Sequence, residues 1–145
     1  MTEQKDTLLA SELRTVVTRL IKKLRKQSST AAQLSLTERT TIALLDHHGE
    51  LLPNELAAME KITTQSMSQI LSKLLEMGLI KRRISETDKR KAIITLSDLG
   101  RTMLYQVRNE RDEWLNKALE ATCTAEEKAL LKKAIGPLTK LVDFD

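Results

Sequence analysis

Aromatic residues are nearly missing from this chain: Tyr105, Trp114 and Phe144 supply 2% of its 145 residues. A stacking platform for single-stranded nucleic acid needs several exposed aromatics, so the composition argues against that function class. The core must instead be built from Leu, Ile, Val, Ala and Met. Cysteine occurs once, at Cys123, which leaves no internal disulfide and no cluster with zinc-ligand spacing. Glycines number four and prolines two, few for a glycine-rich cofactor cradle. No nucleophile–base pair stands out either, so neither an enzyme nor a cofactor is expected. No apolar run approaches the roughly 20 residues that cross a bilayer. Residues 1–9, polar and acidic before the first leucines, do not read as a signal peptide. No membrane partner is expected, and the cytoplasm is the expected compartment.

What is present is ordinary in amount and uneven in place. A hydrophobic fraction of 41% and a charged fraction of 30% suit one soluble globular domain over 1–145. The net charge is +4. Residues 81–91 alone hold six basic side chains (Lys81, Arg82, Arg83, Lys89, Arg90, Lys91) against two acidic ones (Glu86, Asp88), a local excess as large as that of the whole chain. A second basic block runs through Arg14, Arg19, Lys22, Lys23, Arg25 and Lys26. Clustered positive charge attracts a polyanion, although a solvated charged face is the commoner fate of any single cluster.

The spacing of apolar residues predicts the elements. Leu9, Leu13, Val16, Val17, Leu20, Ile21 and Leu24 recur at helical intervals. The Ser-, Thr- and Ala-rich stretch 27–33 ends that pattern. Ser35-Leu36-Thr37-Glu38 has the form of a capping box and opens a second helix, with Ile42 and Leu45 inward and Gly49 as its stop. Pro53 suits the first turn of a short third helix burying Leu56 and Ala57. Thr63 or Thr64 caps a fourth, whose apolar side is Met67, Ile70, Leu71, Leu74 and Leu75, and Gly78 closes it. The period then falls to two: Ile80, Arg82 and Ile84 alternate with Lys81 and Arg83, and Ile93, Thr95 and Ser97 with Ile94 and Leu96. That reads as a hairpin with a long charged loop over 85–91. Ser97 caps a helix from Asp98 to about Glu120. Thr124-Ala125-Glu126-Glu127 is a second capping box, opening a last helix that Gly136-Pro137 is expected to kink or end early. The order α-α-α-α-β-β-α-α predicts a mainly α fold with a small β-hairpin wing, a winged helix-turn-helix.

The fourth helix is the candidate reader of DNA. Opposite its apolar side lie Thr64, Gln65, Ser66, Ser68, Gln69, Ser72 and Lys73. Gln pairs bidentately with adenine, and Ser and Thr serve bases or phosphate oxygens. An ordinary amphipathic surface helix would also be polar outside. Two features favour DNA: the first turns lack the usual Glu and Lys, and a basic hairpin follows directly. In that hairpin Asp88 and Arg90 lie two residues apart, on one side of an extended chain. The acid can hold the guanidinium extended for a narrow minor groove, with Lys89 and Lys91 reaching phosphates.

The run from Ile62 to Arg82, together with Leu56-Ala57, resembles the helix-turn-helix of the MarR (multiple antibiotic resistance regulator) family. Asp88-Lys89-Arg90-Lys91, the alternating strand after it and Leu96-Ser97-Asp98-Leu99-Gly100 are similar to that family's wing signature. The likeness extends over essentially the whole chain. It implies an interlocked helical homodimer, with 1–33 and 98–145 as the dimerisation region and 35–97 as the DNA-binding region. It implies recognition-helix contacts at Thr64, Gln65, Ser66, Ser68, Gln69 and Lys73, and a wing arginine at Arg90 held by Asp88. Leu9, Leu13, Val16, Leu131, Leu138 and Leu141 are assigned to the dimer from their placement. The function implied is a sequence-specific regulator, a repressor on a pseudo-palindromic double-stranded operator, with a small-molecule effector among its partners. The alternative is a non-specific architectural DNA-binding protein.

Three other residues or pairs have quieter readings. Cys123 has Ala121, Thr122 and Thr124 as neighbours, none with a positive charge to favour a reactive thiolate. His47 and His48, near Asp46, fit capping or solvation better than metal binding. Trp114 fits core or interface better than ligand stacking.

Overall fold

A computed structural model describes residues 2–145. The helices begin where side chains take up free backbone N–H groups. Ser35 and Glu38 make the expected capping box at the start of α2 (Leu36–His48), with Glu38 N donating to Ser35 Oγ at 3.2 Å. Thr124 and Glu127 do the same for α6 (Ala125–Val142). Before α2 come α1 (Thr2–Arg25) and a single 3-10 turn at Ala31–Gln33. α1 starts seven residues ahead of Leu9, because nothing in the polar stretch 2–7 breaks a helix.

After α2, Gly49 turns the chain at φ 82° into a strand too short to predict, β1 (Glu50–Leu51). Then follow α3 (Pro53–Glu60), α4 (Thr64–Glu76), the hairpin strands β2 (Ile80–Ile84) and β3 (Ala92–Leu96), and α5 (Asp98–Thr122). The wing is therefore a three-stranded antiparallel sheet in the order β1-β3-β2, with Ile80 opposite Leu96 and Leu51 opposite Ile94. The predicted element order holds, with β1 and the 3-10 turn added.

The last helix does not end early at Gly136-Pro137: α6 continues through Pro137 to Val142. Proline removes one helical N–H and frees the carbonyl four residues before it. Lys133 and Pro137 are both exposed, so the freed carbonyl lies on a solvent-accessible stretch of the helix.

Backbone packing divides the chain into two compact units, 28–109 and a second made of residues up to 27 with 110–145. In the first, Ile42 and Leu45 of α2, Leu56 of α3, Met67 and Leu74 of α4 and Ile94 of β3 share one core. Ile70 and Leu75 pack against its edge, half-buried. In the second unit, α6 has no buried residue at all despite its leucines. Among the described residues no helix is long and apolar enough to cross a membrane.

Candidate nucleic-acid interface

The two helices of the helix-turn-helix end by the same device and use different residues for it. At the end of α4, Leu79 N donates to Leu74 O and Gly78 N to Leu75 O, each at 3.0 Å, with Gly78 at φ 76°. That is a Schellman closure, with glycine in the left-handed position. At the end of α3 the same two bonds run from Ile62 N to Ala57 O and from Lys61 N to Ala58 O. Here the left-handed residue is Lys61, at φ 56°. It is the one non-glycine residue with positive φ among those described. Thr63 then caps α4, its Oγ1 accepting from Ser66 N at 3.0 Å.

Around α4, at about 100° per residue, the polar positions separate into three rows. Gln65 and Gln69 form the crest, farthest from the buried row of Met67, Leu71 and Leu74. Thr64, Ser68 and Ser72 form the flank facing the hairpin. Ser66 and Lys73 form the other flank, and both are engaged. Ser66 Oγ accepts from Thr63 Oγ1 at 2.9 Å. Lys73 Nζ reaches the buried Glu38 carboxylate of α2 at 2.9 Å. Burial works to raise the Glu38 pKa, but the Lys73 ammonium and the Ser35 backbone N–H outweigh it and hold it below the usual value. Lys73 thus ties α4 to the start of α2, a role 35 residues away in sequence that no local pattern announces. Thr64, Gln65, Ser68 and Gln69 are exposed, with no side-chain partner among the described residues.

The hairpin loop is a built turn. Ser85 N donates to Lys91 O at 2.9 Å and Lys91 N to Asp88 O at 3.0 Å. The buried Ser85 hydroxyl accepts from Asp88 N at 3.3 Å. Asp88 Oδ1 takes both the backbone N–H and Nε of Arg90 at 3.1 Å, and Oδ2 takes Nη2 at 3.3 Å. These bonds to Arg90 hold the Asp88 pKa below its usual value. The Arg90 side chain is 91% exposed, fixed at its root and open at its tip. Lys89 and Lys91 flank it, also exposed.

One carboxyl behind the turn is poorly satisfied. Glu60, the last residue of α3, has Oε1 buried without a hydrogen-bond partner. Its Oε2 lies 2.9 Å from Thr41 Oγ1, which is also 2.8 Å from Thr37 O. One hydroxyl proton serves one of these acceptors, so both short contacts are satisfied only when Glu60 is protonated and donates to Thr41. Burial raises the Glu60 pKa, with the Thr41 bond opposing. A carboxyl raised on folding stabilises fully below its unfolded pKa, and that contribution is lost as pH rises through the folded value. Glu60→Gln, a neutral donor, is therefore expected to stabilise the protein by about 1 kcal/mol at neutral pH. The gain should shrink near pH 4. Thermal melts at the two pH values check this, and an equal shift at both would contradict it.

The remaining sequence candidates are not brought together. Asp46 pairs with Arg108 at 3.4 Å, while the exposed rings of His47 and His48 meet edge-on at 4.8 Å. Among the described residues no group of His, Cys, Asp and Glu could hold a metal ion. Cys123 is half-buried beside Thr122. Leu9, Val16, Leu131 and Leu141 are exposed, and Leu13 and Leu138 half-buried.

Comparison with known proteins gives one answer. The family model described as "MarR family" matches residues 32–91. An HTH-type transcriptional regulator of Mycobacterium tuberculosis is 30% identical over 138 residues, 95% of each chain. The crystal structure of a candidate transcriptional regulator from Pseudomonas aeruginosa superposes with a TM-score of 0.83 at 34% identity, covering 97% of this chain and 98% of that one. A MepR variant of Staphylococcus aureus, solved bound to an oligodeoxyribonucleotide, shares the fold with a TM-score of 0.71 at 19% identity, covering 93% of this chain and 98% of that one.

Proposed function

This chain belongs to the MarR family of HTH-type transcriptional regulators, and from that premise we propose that it represses transcription as a homodimer seated on a pseudo-palindromic operator. As a member of that family it is a DNA-binding regulator and not an enzyme. The observation that carries the finer reading is the pairing of two surfaces in one unit: the unpartnered Gln65–Gln69 crest of α4 and the Asp88-anchored Arg90 at the hairpin tip. The crest suits base edges in the major groove, and Thr64 and Ser68 suit bases or phosphates beside it. Arg90 suits the narrow minor groove, with Lys89 and Lys91 on phosphates. Ser66 and Lys73, already engaged within the protein, serve to position α4. A MepR variant of the same fold was solved bound to an oligodeoxyribonucleotide, which supports DNA as the ligand. Repression follows by occlusion of the promoter in the cytoplasm, with release by a small-molecule effector as part of the same reading.

The test is selection from a random duplex pool by the full chain. It should enrich an inverted repeat with half-site centres one helical turn apart, about 34–36 Å. A pool that stays random would instead support the architectural alternative. Arg90→Ala should leave the melting temperature unchanged, because the side chain is exposed. It should weaken binding to the selected duplex about tenfold or more, the loss of roughly 1–3 kcal/mol expected of one strong contact. Unchanged affinity would remove the wing from the interface.

A further inference from the structure

On β2 an exposed arginine stands two residues from the strand's one buried side chain. Ile80, Arg82 and Ile84 share one face of the strand. Ile80 is buried in the core, yet the next position along that row is an arginine. Its neighbour Arg83 is held by Glu50 at 2.7 Å. Arg82 has no side-chain partner among the described residues. It lines a groove of about 120 Å³ between β2 and α4, over Leu71 and Ile94, whose α4 rim is Ser68 and Ser72. The two hydroxyls stand one helical turn apart, exposed and without partners among the described residues. A guanidinium and two hydroxyls thus line one groove unpaired, with no carboxylate in its lining.

We propose that this groove seats one phosphate of the DNA backbone per protomer, gripped by Arg82 with Ser68 and Ser72; the proposal rests on the operator-binding reading above. The chemistry fits: a planar guanidinium offers paired N–H donors to phosphate oxygens, and serine hydroxyls are common phosphate donors. The volume is far below the roughly 300–1,000 Å³ of small-molecule pockets, which argues against a metabolite. The position favours a duplex phosphate over a free one, because the groove lies beside the α4 crest and on the hairpin that ends in Arg90. Arg82 and Ser72 therefore set the register in which Gln65 and Gln69 meet the bases, and Ser68 turns to the backbone.

The experiment compares the full chain with its Arg82→Gln and Arg82→Lys variants on the selected duplex and on a scrambled duplex of equal length, across a salt series. Arg82→Gln should weaken both by the same factor, about tenfold, and lower the slope of log K against log salt by about one unit per protomer. Arg82→Lys should keep the slope. Replacing one backbone phosphate in each half-site by a neutral methylphosphonate should weaken the wild type and leave Arg82→Gln unaffected. The Ser68→Ala/Ser72→Ala double variant should show a smaller loss, again equal on both duplexes. An Arg82→Gln loss confined to the selected duplex would make Arg82 a base reader and overturn the proposal. So would an unchanged slope, or a thermal shift by inorganic phosphate that needs Arg82 while duplex binding does not. A wild type with no salt-dependent duplex affinity would remove the operator reading itself, a separate outcome.

Discussion

Gly100→Ala is expected to destabilise the protein by on the order of 3 kcal/mol, the upper end of what overpacking costs. A Cβ at this position would lie 2.0 Å from the Leu79 carbonyl oxygen and 3.2 Å from Leu96 Cδ2. The oxygen is backbone and cannot swing aside. It is also in use: Leu79 O accepts from Ser97 N at 3.1 Å, and the Ser97 hydroxyl donates to Gly78 O at 2.6 Å while accepting from Gly100 N at 3.0 Å. These bonds fasten the start of α5 to the turn between α4 and β2, the joint that holds the wing against α4. Moving α5 away to admit the methyl breaks them. Gly136 is the control, since a Cβ there meets nothing within 4 Å. Gly136→Ala should be neutral or stabilise by up to about 1 kcal/mol through helix propensity. Denaturant midpoints of the two variants check the pair; a Gly100→Ala midpoint equal to wild type would contradict the packing argument.

The second large effect belongs to the proposed dimer. α6 buries none of its residues, yet Leu131, Ile135 and Leu141 are 47%, 61% and 60% exposed, and Val142 and Phe144 are both 83% exposed. On α1, Leu9 and Val16 are 62% and 59% exposed. So many exposed apolar side chains on two helices call for a cover, which a second copy of the chain would provide in the proposed dimer. Leu131→Asp with Ile135→Asp changes only exposed positions, so the fold of each protomer should survive. The variant should sediment as a monomer. Its affinity for the selected inverted repeat should fall by about 10²–10⁴, the usual gain from joining two binding units. A variant that remains dimeric would place the interface elsewhere.

Much of the fold was legible because its signals are local. Ser35–Glu38 and Thr124–Glu127 announce helix starts within four residues, and Gly78 marks the end of α4 by its own backbone freedom. The hairpin was visible from the change of period at Ile80, and the Asp88–Arg90 clasp from a two-residue spacing. What escaped depends on partners distant in sequence or on lengths too short for a pattern. β1 has two residues, and only its pairing with β3 makes it a strand. Lys61 takes a left-handed turn without the glycine that would advertise it. Lys73 reads from the sequence as a DNA contact on the outer face of α4, and its bond to Glu38 spans 35 residues that no local pattern connects. In the sequence Arg82 is one member of a basic cluster, and only the groove beside α4 and the Glu50 partner of Arg83 tell the two arginines apart. Pro137 reads as a helix breaker by local rule, while an exposed helix leaves the freed carbonyl open to solvent and continues.

The central claim is that α4 and the wing together read a specific duplex. The most direct test is the dissociation constant of the full chain for its selected duplex and for a scrambled duplex of equal length, at about 150 mM salt, where non-specific binding is weak. Sequence-specific reading predicts at least about 10³-fold tighter binding to the selected duplex. A ratio near one would contradict it.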